Sequence, residues 1–106
     1  MANTNPNNNI WDIDSTGVYV LIDYRKNKGN VNSLSIANQH SSTTTVFDLY
    51  LEDGLTNANS KIYIVANMAI PAGATLQLDS VGFDNDIYQL VFNASTIGGP
   101  VNIIAR

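Results

Sequence analysis

From residue 17 onward, apolar side chains recur at every second position in short runs, and Gly, Pro, Asn, Asp and Ser break the runs. A period of two is that of a strand with one face buried. The plainest case is 43–51. Thr45, Phe47, Leu49 and Leu51 fall on one face, and Thr44, Val46, Asp48 and Tyr50 on the other. Leu34 and Ile36 alternate within 31–37, as do Thr75 to Leu78 within 75–78, and Tyr88, Leu90 and Phe92 share a face of the strand that follows Asp86. The segment 18–24, Val-Tyr-Val-Leu-Ile-Asp-Tyr, is dense in β-branched and aromatic residues. Residues 62–65 read as a short strand, and 101–104 as the last one.

The breaks carry turn chemistry. Lys26-Asn27-Lys28-Gly29-Asn30 ends one run, Asn38-Gln39-His40-Ser41-Ser42 is a polar turn, and Glu52-Asp53-Gly54 opens a loop lengthened by 56–60. Ile70-Pro71-Ala72-Gly73 has Pro early and Gly late, each supplying the φ it favours. Ile97-Gly98-Gly99-Pro100 turns the chain into its last strand. No segment sustains a helical period. Seven to eight short strands with turns between them predict an all-β fold, a single antiparallel β-sandwich of Greek-key or jelly-roll type.

Residues 1–9, Met-Ala-Asn-Thr-Asn-Pro-Asn-Asn-Asn, offer nothing to bury and read as a flexible arm, leaving 10–106 for the sandwich domain. The arm has neither the basic start nor the apolar run of a signal peptide. No apolar stretch reaches the length of a membrane span, so no membrane partner is expected.

Composition sharpens the picture. The 106 residues fit one domain. Hydrophobic residues make up 44% and charged residues only 13%, against about 25% in an average soluble domain. Asn, Ser and Thr carry the polarity instead. Such a surface costs less to desolvate than one studded with charges, which suits it to being covered by a neighbour. The net charge is −4, and the five basic residues are Arg25, Lys26, Lys28, Lys61 and Arg106. Three of them form one small spot, too few to neutralise many phosphates, so no nucleic-acid partner is expected. There is no Cys, hence no disulfide and no thiolate site.

Candidate chemistry is sparse. His40, the single histidine, lacks metal-ligating companions, and the adjoining Ser41 and Ser42 sit in no nucleophile motif. Asp84-Asn85-Asp86 reads as a turn whose side chains bond their own backbone, with structural calcium as the alternative. Asn93-Ala94-Ser95 is a sequon without a secretory context. We expect no enzyme and no cofactor. The single Trp, Trp11, either fills the domain's own core, where a Trp usually goes, or docks on a neighbour. Tyr50 and Tyr63 lie opposite the apolar positions of their strands and are contact candidates. Trp11 and Asn7, Asn8 and Asn9 of the arm complete that set.

The chain runs from a strand ending Ile36-Ala37-Asn38 to Leu49-Tyr50-Leu51-Glu52-Asp53-Gly54, then Tyr63-Ile64-Val65, then Met68-Ala69-Ile70-Pro71-Ala72-Gly73-Ala74-Thr75-Leu76. It closes with Tyr88-Gln89-Leu90 and Val101-Asn102-Ile103-Ile104. This order resembles small virion structural proteins of tailed bacteriophages, particularly those of marine and cyanobacterial hosts. The resemblance covers roughly 18–106, and its most telling part is Ile-Pro-Ala-Gly-x-Thr-Leu after a short aromatic strand. It implies a β-sandwich that decorates or cements a capsid, with a major capsid protein or another virion protein as partner. It also implies a homo-oligomer, a trimer favoured, located on the virion. A neck or tail accessory and a carbohydrate-binding adhesion module of the virion are the alternatives.

Overall fold

The computed structural model describes residues 10–24, 33–53, 60–79, 83, 85 and 87–105, together with the backbone of 3–5. All regular structure among them is β: β1 (Asn3–Asn5), β2 (Ile10–Ile13), β3 (Gly17–Ile22), β4 (Leu34–Asn38), β5 (Thr45–Asp53), β6 (Ser60–Ile70), β7 (Thr75–Leu78), β8 (Tyr88–Thr96) and β9 (Val101–Ala105). They form two antiparallel sheets, β1-β2-β9-β4-β7 and β3-β8-β5-β6.

The pairings have a simple logic. β5 pairs with β6, β4 with β7, β3 with β8 and β2 with β9. The chain is therefore one long hairpin with its tip at β5–β6, rolled up so that β4 also meets β9 and β5 also meets β8. Eight strands connected this way make a jelly roll, with four in each sheet. β1 adds an edge beside β2, giving nine strands against the seven to eight expected. Only the β5–β6 connection stays within one of the two four-strand sets; every other step from β2 to β9 crosses between the sheets.

Alternation decides which side chains fill the space between the sheets. Trp11, Ile13, Leu34, Ile36, Val101, Ile103 and Ala105 face in from one sheet, and Phe47, Leu49, Leu90, Phe92 and Ala94 from the other. Phe47 and Phe92 stack at 4.9 Å between centroids. Trp11 is 2% exposed, so of its two possible destinations it takes the domain's own core.

One end of the sandwich is tied around a polar residue. Asn38 was expected in a turn but ends β4 and is buried. Its Nδ2 donates to the carbonyls of Thr43 (2.8 Å) and Ile70 (3.0 Å), and its Oδ1 accepts from the N–H of His40 (3.1 Å). Its backbone N–H donates to the Ala74 carbonyl and its carbonyl accepts from Gly73. The turn at 71–74 is closed by Ala74 N–H on the Pro71 carbonyl, with Gly73 at φ 78°. A side chain there would be strained. The loop 39–44 is shaped by His40, whose Nδ1 accepts from the N–H groups of Ser42 (3.0 Å) and Thr43 (2.9 Å). It lies so close to the 97–100 turn that a Cβ at Gly98 would collide with Thr43, and one at Gly99 would come 2.7 Å from His40.

Candidate interaction face

The outer face of the four-stranded sheet carries the feature that the core does not explain. Register places Val20 beside Val91, Val91 beside Tyr50, and Tyr50 beside Tyr63. One apolar row therefore crosses all four strands on the side away from the core. Its middle is closed: Val91 and Tyr50 are 1% and 3% exposed. Its ends are open, with Val20 44% and Tyr63 50% exposed. Val18, two residues from Val20 on the same face, is 61% exposed; Ile62, 48% exposed, is next to Tyr63 in sequence but in register with Leu51 and Leu90, on the core side of β6.

Two backbone irregularities set this arrangement. The register between β3 and β8 shifts at Leu21, so Leu21 and Ile22 are both buried while Val18 and Val20 face solvent. A bulge of this kind reverses the parity of everything beyond it. On β6 the register against β5 shifts twice between Phe47 and Tyr50. Asn67 sits there at φ 54°, and its N–H donates to Asp48 Oδ1 at 2.6 Å. The two extra residues cancel in parity and bring Tyr63, rather than Val65, opposite Tyr50 on the outer face.

The polar groups of the face are held by neighbours. Glu52 Oε1 accepts from Gln89 Nε2 at 2.6 Å, and Asp48 is engaged by Asn67. Lys61 lies over the Tyr50 ring, 5.1 Å from its centroid, in a cation–π contact worth about 0.5–1 kcal/mol. Tyr63 leans on Tyr50 at 5.3 Å and 49°. Burial pushes the Tyr50 phenol above its usual range, with Glu52, Tyr63 and Asp48 adding to the rise. What the face offers is therefore contact area, an aromatic ledge and amide groups, with the carboxylates of Glu52 and Asp48 already engaged.

No family model, no curated protein and no solved structure matches the chain.

The remaining sequence candidates separate cleanly. Tyr50 and Tyr63 do face outward, and they touch each other, but Tyr50 is buried while Tyr63 is open. Trp11 belongs to the core. Asn7, Asn8 and Asn9 lie outside the described residues, as do Asp84 and Asp86. Asn85 between them ties the end of β3 to the start of β8, its Nδ2 donating to the carbonyls of Asp23 (2.9 Å) and Tyr88 (3.0 Å). Asn93 stands on the outer face beside Val18 and Asp48. Val18 and Val20 were not singled out from sequence. In a run of apolar residues, alternation carries no signal, and the bulge at Leu21 that fixes their facing has no marker in residue type.

Proposed function

We propose that this chain is a structural protein of a tailed-bacteriophage virion, a decoration or cement protein that binds across neighbouring subunits of the capsid shell and is itself a homo-oligomer, with the trimer favoured. The observation that carries the reading is the open-ended apolar row on the outer face of the four-stranded sheet, set in a surface poor in charge. Solvent-exposed valines and an aromatic ledge gain free energy by being covered, at about 25 cal/mol per Å² of apolar area removed from water. The jelly roll supports the reading without deciding it, since viral shells and lectins both use it.

The mechanism is linkage. A protein that binds the assembled shell and not its loose subunits stabilises the shell by the free energy of that binding. Particles purified with and without this chain are heated and osmotically shocked. Greater resistance in the decorated particles is the expected result, and equal resistance rejects the cement role. A glycan-binding module is the second reading, favoured by the exposed Tyr63 and by the amides of Gln89 and Asn93 on the same outer face, two strands away. A glycan array without signal counts against it.

A further inference from the structure

We propose that β3 and β6, the two edges of the four-stranded sheet, are complementary halves of one interface, and that copies of this chain join through it, edge to edge, into a closed ring. The inference specifies how the self-association in the virion reading is made, and to that extent it rests on that reading.

Among the described residues, four of the five exposed large apolar side chains sit on these two strands: Val18 and Val20 on the outer face of β3, Tyr63 on the outer face of β6, and Ile62 at the same β6 edge but on its core side. Between them the face is already closed by Val91 and Tyr50. The apolar area left to cover therefore lies at the two edges and not in the middle, which favours edge contact over face-to-face stacking.

Charge follows the same division. The row next to Val20–Val91–Tyr50–Tyr63 contains Gln89, Glu52 and, at its β6 end, Lys61. At its β3 end comes Asp23, exposed and one residue beyond Ile22, which pairs with Leu90. Lys61 and Asp23 are three strand spacings apart, about 14 Å, too far to meet within one chain. A rotation about an axis parallel to the strands keeps every row at its own height. It brings Tyr63 of one copy to Val20 of the next and, in the adjacent row, Lys61 to Asp23. β3 and β6 run antiparallel through β8 and β5, so the next copy's β3 arrives beside β6 in the sense a sheet accepts. The bulges in β6 interrupt a continuous backbone ladder, which leaves side chains to make the contact. A head-to-tail interface of this kind closes into a ring when its rotation divides the circle.

The test is sedimentation velocity with light scattering on the isolated chain at low salt, where a rim charge pair is least screened. The wild type is expected to run as a ring of defined size. Lys61→Asp and Asp23→Lys should each weaken association by about tenfold or more. The double exchange should restore it to within about threefold, because the pair is rebuilt with its signs reversed. Val20→Asp should dissociate the ring at any salt, and Val18→Asp serves if that variant does not fold; circular dichroism of each variant checks the fold. A wild type that stays monomeric, an oligomer unmoved by these substitutions, or singles that dissociate without rescue by the double exchange each overturn the proposal. A monomer that still protects particles sinks the ring alone. A ring that leaves particles unprotected sinks the cement role alone.

Discussion

Removing the Asn38 side chain tests whether one end of the jelly roll is held by a single buried amide. Asn38→Ala deletes two donated bonds, to the carbonyls of Thr43 and Ile70, and one accepted from the His40 N–H. The net worth of such a bond is about 1 kcal/mol, and a buried group left without its partner costs about 1–3 kcal/mol. With the residue 2% exposed, water replaces the lost partners poorly, and the total loss is about 3–4 kcal/mol. A domain of this size has about 5–15 kcal/mol in all. The midpoint of thermal unfolding should therefore fall by roughly 15–20 °C. The control is Gln39→Ala, which removes an exposed amide bond to Asn102 (2.6 Å) next door and should cost under about 0.5 kcal/mol. Urea melts of both variants give the comparison. If Asn38→Ala loses less than about 1 kcal/mol, or no more than Gln39→Ala, the amide is not what ties the 38–43 loop to the end of β6 at Ile70.

Four further outcomes follow from the same structure. Thr45 is fully buried, and its hydroxyl has no hydrogen-bond partner among the described residues; Thr45→Val should raise stability by about 1 kcal/mol in a denaturant melt, and a loss would mean the hydroxyl is satisfied. Phe92→Ala removes half of the stacked pair with Phe47 from the core and should cost about 3–5 kcal/mol by the same melt. Gly98→Ala should destabilise, because its Cβ meets Thr43 across the loop contact; an unchanged midpoint would show that the two loops part freely. The Tyr50 phenol is raised above its ordinary value of 10.0 by burial and nearby negative groups. The folded state thus holds the Tyr50 proton more tightly than the unfolded chain does. Its contribution is intact below pH 10 and is lost as pH rises past that value through the folded-state value. Tyr50→Phe should flatten this alkaline loss in a pH series of melts, and an identical slope in both proteins would refute it.

Much of the architecture was legible in the chain because its strands bury one face. Phe47 and Leu49 on β5 and Leu90 and Phe92 on β8 announce a core face by alternation, and the Pro71–Gly73 turn announces itself by residue type. Legibility fails where a contact partner is distant or the backbone is irregular. Asn38 looks like a turn residue because Asn usually is one; only Thr43, Ile70 and His40 converging on it make it a core residue. β6 was read as a short strand over 62–65 but runs from Ser60 to Ile70. Its two register shifts break the alternation that would have marked its length. The outward pair Tyr50 and Tyr63 was visible from parity. The openness of one and the burial of the other depend on Val91, Lys61 and the register of three strands, which no single segment encodes.

Electron cryomicroscopy of intact particles carrying this chain shows directly whether its outer sheet face is a contact surface. Density for it is expected on the shell, with the outer face of the β3-β8-β5-β6 sheet, including Val18, Val20 and Tyr63, covered by neighbouring protein. Particles on which the chain is bound with that face open to solvent, or on which it finds no place, would contradict that expectation.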